Sequence, residues 1–363
     1  MTFCQNRRCH LAPAPGSSIK PSDRFLTRSS RGTIFISGRF TERDDCKRPI
    51  AYHARMVWFT LIGVLLACGL LLAVLAATLL AWGLTHPPRM GDGKALAILH
   101  RLSPADLGLR YTDVRFQVID ESNPPAKITI VGWWIPADSS SDRCAILLHG
   151  YADAKIGAIA WAPIFHSLGW NVLAIDLRAH GESGGEKVTG GHFERHDLSH
   201  VIDQLLERQP AETKQIVLFG VSMGSAIATQ VAAMRDDVAG VIAESFVGSF
   251  IFASHAQLQL MGLPGGVIGR LSAHIAAWMT GADFQNDTAL HALPKVKCPV
   301  MLILGTEDRF ADQMAVTRIA SDLPNVQLWR PEGIDHIGAL AAGYDDYAER
   351  IAAFLQSVNS TSQ

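Results

Sequence analysis

Leu218-Phe219-Gly220-Val221-Ser222-Met223-Gly224-Ser225-Ala226 is the stretch on which the reading of this chain turns. Apolar residues run into Gly-x-Ser-x-Gly and small residues follow, which predicts a strand, a sharp turn carrying Ser222, and a helix. Glycines two residues either side of the serine omit side chains that would collide with the strand and the helix, so the hydroxyl stands at the carboxyl edge of a sheet. The five-residue motif alone recurs by chance as a structural glycine turn, and its placement between strand and helix is what makes it informative.

Outward from that turn, short apolar runs alternate with amphipathic stretches from about residue 110, the signature of a mainly parallel sheet flanked by helices. Strands are expected near 113–120, 127–136, 144–149, 171–176, 215–221, 238–243, 299–304 and 325–330. Helices are expected near 155–168, 191–208, 223–234, 311–322 and 338–357. The runs Ala145-Ile146-Leu147-Leu148, Val172-Leu173-Ala174-Ile175 and Ile216-Val217-Leu218-Phe219 are continuously apolar, as central strands covered on both faces require.

A serine hydroxyl is a weak nucleophile near neutral pH and needs a base, itself oriented by an acid. Asp308, in Leu304-Gly305-Thr306-Glu307-Asp308-Arg309, follows the seventh expected strand, with Glu307 and Asp335 as neighbouring competitors for the acid. Among fourteen histidines, His336 alone falls between the last strand and the last helix, and it must be neutral to accept a proton from Ser222. The order Ser, Asp, His is that of the α/β-hydrolases. Oxyanion donors are expected from the backbone N–H of Met223, after the nucleophile, and of Tyr151, after the third strand in Leu147-Leu148-His149-Gly150-Tyr151.

The succession His149-Gly150-Tyr151, Asp176-Leu177-Arg178-Ala179-His180-Gly181-Glu182-Ser183-Gly184-Gly185 and Gly-Val-Ser-Met-Gly resembles the serine-hydrolase branch of the α/β-hydrolase superfamily that includes monoacylglycerol lipases and serine aminopeptidase S33. Cys298-Pro299-Val300, Gly305-Thr306-Glu307-Asp308 and Gly333-Ile334-Asp335-His336 are similar to the family's acid and base blocks. The resemblance covers about residues 110–357. It implies an α/β-hydrolase fold, with a mostly parallel eight-stranded sheet, flanking helices and a small helical cap, and a triad of Ser222, Asp308 and His336. The Asp176–Gly185 block reads as a tight structural loop rather than a second centre. His192, His196 and His200 recur every four residues, but beside Glu194 and Asp197 they read as a solvated helix face. No metal site and no cofactor are expected.

The remaining chain concerns setting. Of 363 residues, 48% are apolar, and 32 Lys and Arg balance 34 Asp and Glu, so no basic field calls for nucleic acid. Six cysteines (Cys4, Cys9, Cys46, Cys68, Cys144, Cys298) lack the spacing of a disulfide scaffold or a zinc site. Met56–Leu84 carries no charged side chain over 29 residues, against the roughly 20 that a membrane-spanning helix needs. One transmembrane helix over 56–84 is therefore expected, with Trp58 and Trp82 near its ends and Pro87-Pro88 as a stop. The run is too long for the core of a cleaved signal peptide, and it continues well past Cys68, against a lipoprotein signal. A poorly ordered basic tail over 1–55, a linker over 85–109, a hydrolase domain over 110–357 and a tail over 358–363 complete the expected organisation.

Arg43, Lys47, Arg48 and Arg55 before the apolar helix, against Arg89, Lys94 and Arg101 after it, predict a cytoplasmic tail and an exported catalytic domain. An insert over 246–297, with Phe246, Phe250, Ile251, Phe252, Leu258, Leu260, Met261, Leu263 and Trp278, reads as a cap over an apolar pocket. The expected partners are the membrane and a small-molecule or lipid-like ester. Peptidase, amidase and thioesterase share the same triad chemistry, and a membrane-tethered binding protein without turnover is the alternative of another class.

Overall fold

The computed structural model describes residues 47–122, 124, 126–263 and 266–361. Cys4, Cys9, Cys46 and most of the expected N-terminal tail lie outside the described residues. The chain divides into two compact units, Met1–Leu65 and Leu66–Gln363. In the first, the described residues belong to helix α1, which runs Lys47–Thr85 and continues into the second. Every residue from His53 to Leu70 is exposed.

The second unit is built on an eight-stranded sheet: β1 (Thr112–Ile119), β2 (Lys127–Ile135), β3 (Arg143–Leu148), β4 (Asn171–Ile175), β5 (Gln215–Val221), β6 (Val238–Glu244), β7 (Val300–Ile303) and β8 (Val326–Trp329), ordered β1-β2-β4-β3-β5-β6-β7-β8. The β1–β2 and β2–β4 pairs are antiparallel and every later pair is parallel. Because side chains alternate across a strand, the continuous apolar runs serve two cores. Ile146, Leu148, Leu173, Ile175, Ile216 and Leu218 fill one face, and Ala145, Leu147, Val172, Ala174, Val217 and Phe219 fill the other.

Helices α2 (Asp92–Leu99), α3 (Lys155–Ala158), α4 (Ala162–Ser167), α5 (Glu194–Arg208), α6 (Met223–Ala232), α7 (Phe250–Leu260), α8 (Val267–Thr280), α9 (Ala289–Ala292), α10 (Gln313–Asp322), α11 (Ala339–Ala342) and α12 (Tyr344–Thr361) complete the described elements, with short 3₁₀ turns between some. The helix expected over 155–168 is interrupted by a 3₁₀ turn at Ile159–Trp161. Pro163, near the start of α4, has no N–H with which to continue an α-helix from the preceding turn. The stretch expected as a linker carries α2, whose Ala95 is buried in the second core together with Leu109.

Two expectations about side chains are corrected. The α5 face is not solvated: Glu194 and Asp197 are buried, because Glu194 accepts hydrogen bonds from the N–H groups of Thr189 and Gly191 and Asp197 holds the Arg178 guanidinium at 2.5 and 2.8 Å. His192 is paired with Asp287. Phe246 belongs to the first sheet core rather than to the cap. In the insert itself, α7 and α8 leave Phe252, Leu260, Met261, Leu263 and Trp278 exposed. Among the described residues no group of His, Cys, Asp and Glu is arranged to hold a metal ion.

Candidate active site

Ser222 joins β5 to α6 at φ 53° and ψ −115°, a conformation that a non-glycine residue adopts only where its surroundings enforce it. The enforcement is visible at Gly224, where a Cβ would lie 2.4 Å from the carbonyl oxygen of Leu148 at the end of β3. The elbow is thus pressed against the neighbouring strand. From its other neighbour, the Glu244 carbonyl at the end of β6 accepts the Ser222 N–H at 2.9 Å.

The β7 end supplies Asp308, which is buried and accepts the Phe310 N–H through Oδ1 at 2.9 Å. The loop after β8 supplies His336. Its Nδ1 lies 2.8 Å from Asp308 Oδ2 and its Nε2 lies 2.7 Å from Ser222 Oγ. A proton on Nδ1, donated to the carboxylate, leaves the Nε2 lone pair to accept the serine hydroxyl. The structure therefore brings Ser222, His336 and Asp308 into one hydrogen-bonded chain. The competing carboxylates Glu307 and Asp335 are exposed. Phe310 packs on the His336 ring, centroids 4.5 Å apart.

Both expected oxyanion donors border the serine. Met223 is the first residue of α6, whose opening N–H groups have no acceptor within the helix. Tyr151 follows Gly150, at which a Cβ would lie 3.9 Å from Ser222 Oγ. Two buried histidines tie this loop to the one after β4. His149 Nε2 accepts the Leu177 N–H at 3.0 Å and His180 Nε2 accepts the Ala152 N–H at 3.1 Å. Burial pushes both imidazoles below their ordinary value, which suits neutral acceptors.

The Asp176–Gly185 block has structural partners. Asp176, fully buried, accepts the Lys155 ammonium at 2.8 Å and the N–H groups of Lys155 and Glu182 at 2.7 and 2.9 Å. Two contributors escape the sequence reading. Ser245 Oγ accepts the N–H of Ile337, next to His336, at 2.8 Å, and the Glu244 carbonyl holds the elbow. No motif marks either; only the adjacency of β6 to β5 and β7 puts them there.

The model of the α/β hydrolase fold family matches residues 146–295, a stretch that contains Ser222. The Bacillus subtilis (strain 168) protein YqkD is 24% identical over 234 residues, 62% of this chain and 75% of that one. The Pyrococcus furiosus esterase Pf2001 superposes with a TM-score of 0.60 at 25% identity, covering 75% of this chain and 98% of its own. An α/β hydrolase from Vibrio vulnificus superposes at 0.56 with 17% identity, covering 76% and 92%. Family match, sheet order and structural likeness agree on an α/β-hydrolase fold for this chain.

Proposed function

We propose that this chain is a membrane-anchored serine hydrolase that cleaves a carboxylic ester through Ser222, His336 and Asp308. The observation that carries the reading is the single hydrogen-bonded chain from Ser222 Oγ through His336 to Asp308. Ser222 Oγ attacks the ester carbonyl as its proton passes to His336 Nε2, and Asp308 stabilises the imidazolium. The Met223 and Tyr151 N–H groups donate to the oxyanion, the alcohol leaves with the His336 proton, and an acyl-enzyme remains. Water, deprotonated by the same imidazole, then releases the acid. Likeness to a protein named as an esterase supports ester over amide or thioester.

The anchor is α1, in which His53–Thr85 is long and apolar enough to cross a membrane, with a mean hydropathy of 2.7 over its most apolar window. A nearby bilayer and the exposed apolar residues of α7 and α8 favour a lipid-like ester. Between Leu84 and these helices, the cavity lined by Phe250, Ile251, His255 and Ala276 has only about 10 Å³ of room, so the acyl chain lies elsewhere or enters after the cap moves. The tail is read as cytoplasmic and the catalytic domain as exported.

The test compares p-nitrophenyl esters of increasing chain length with aminopeptidase and acyl-thioester substrates, using full-length protein beside Ser222→Ala. Ester turnover that rises with chain length and vanishes in the variant supports the proposal; a preference for peptides overturns it. Protease added to intact spheroplasts digests an exported domain, whereas protection of the domain with cleavage of the tail reverses the orientation.

A further inference from the structure

We propose that the end of α1 is a positioning element of the active site: Arg89 and the Gly83 carbonyl hold the oxyanion loop, fixing the Tyr151 N–H against the Ser222 elbow. The inference rests on the serine-hydrolase reading above and adds to it a function for the anchor beyond tethering.

A helix leaves its last four carbonyls without partners of its own. In α1 the following domain takes up two of them: the Tyr151 hydroxyl donates to the Gly83 carbonyl at 2.7 Å, and the Val188 N–H donates to the Thr85 carbonyl at 2.8 Å. Ala77, Ala81 and Thr85, one helical turn apart, are buried, and Ala81 packs with Ala276, Ala282 and Phe284 of the cap region. The helix end is therefore docked, not merely trailing toward the domain.

Arg89 follows the Pro87-Pro88 stop and turns its guanidinium onto the loop after β4. Its Nη1 donates to the carbonyls of His180, Gly181 and Ser183 at 3.2, 2.9 and 2.6 Å, and its Nη2 donates to that of Gly185 at 2.9 Å. Four carbonyls converging on one planar fork are a demand that a lysine cannot meet. The same loop carries His180, whose Nδ1 is 2.8 Å from the Arg178 carbonyl and whose Nε2 accepts the Ala152 N–H. Tyr151 is thus held twice, by its own hydroxyl on Gly83 and by its neighbour Ala152 on the loop that Arg89 clamps. Ala152 has φ 58°, so the turn beyond the oxyanion donor depends on these outside contacts.

An oxyanion donor acts on the charge that develops in the transition state and scarcely touches the bound ester. Loosening its support therefore lowers kcat and leaves KM in place. Deleting a donor typically lowers rate about 10² to 10³-fold, so displacing one through its support is expected to lower kcat on the order of ten-fold.

The experiment measures p-nitrophenyl ester kinetics, the rate of fluorophosphonate labelling and the unfolding midpoint on the full chain in detergent, for Arg89→Ala, Arg89→Lys and Tyr151→Phe. Arg89→Ala and Tyr151→Phe are expected to lose kcat and labelling rate together, with KM and midpoint close to wild type. Combining them should lower kcat less than the product of the single effects, and Arg89→Lys should recover only part. Unchanged kcat in both single variants, a rise in KM alone, or losses that follow the unfolded fraction overturn the proposal. Ser222→Ala, run alongside, separates the two readings. If it keeps turnover, the hydrolase reading has failed; if it abolishes turnover while the other variants match wild type, only the positioning of the oxyanion loop is refuted.

Discussion

His336 Nε2 stands 2.7 Å from Ser222 Oγ while the opposite ring nitrogen, 2.8 Å from Asp308, fixes which nitrogen carries the proton. Asp308→Asn keeps the shape but can present an amide N–H to Nδ1, favouring the tautomer whose Nε2 is protonated and cannot accept from serine. Ester kcat is expected to fall by about 10⁴. Steady-state kinetics check this, and a variant within ten-fold of wild type would remove Asp308 from its role.

Gly224 has no room for a side chain, since a Cβ would meet the Leu148 and His149 carbonyl oxygens at 2.4 and 2.8 Å. Both obstacles are backbone and cannot rotate away. Gly224→Ala is expected to destabilise the domain by about 1–3 kcal/mol through overpacking and to displace Ser222. Thermal unfolding and activity, measured together, should both decline; an unchanged midpoint with full activity contradicts the close approach of elbow and strand.

Asp176 and Lys155 form an ion pair with side-chain exposures of 0% and 5%. Asp176→Ala strands the ammonium with Glu182, whose side chain is 63% exposed. Breaking one side of such a buried pair costs about 3–5 kcal/mol. Denaturant unfolding reads the loss, and a change below about 1 kcal/mol would show that the pair is not structural.

Glu244 ends β6 and accepts the Tyr347 hydroxyl at 2.9 Å. Burial pushes its carboxyl up to about 8, the Tyr347 hydrogen bond opposing the rise and the charge of Asp308 adding to it. The ordinary value is 4.5, so between 4.5 and about 8 the folded chain holds a proton that the unfolded chain has released. Stability contributed by this group therefore falls as pH rises through that window. Glu244→Gln stays neutral and still offers an oxygen to Tyr347. The melting temperature of the wild type should drop relative to that of the variant from pH 5 to pH 8; parallel curves would mean that Glu244 is already ionised at pH 5.

The sheet was legible because β3, β4 and β5 are covered on both faces and so read as unbroken apolar runs, and because an elbow needs glycines at fixed offsets. Ser222, Asp308 and His336 each follow a strand, and the glycine elbow, the order Ser, Asp, His and the loop positions together singled them out. The burial of Glu194 and Asp197 was not legible. Charged residues on a helix read as solvated unless their partners are known, and Arg178 and the Thr189–Gly191 backbone reach them only through the fold. Ser245 and Glu244 act on the site through neighbouring strands, and Arg89 and Gly83 act through main-chain carbonyls, which leave no signature in sequence spacing.

Mass spectrometry of the full chain after exposure to a fluorophosphonate tests the nucleophile most directly. One phosphonyl adduct per chain on the peptide bearing Ser222, absent from Ser222→Ala and greatly slowed in His336→Ala, is the expected result. An adduct on a different residue, or wild-type ester turnover by Ser222→Ala, would contradict it.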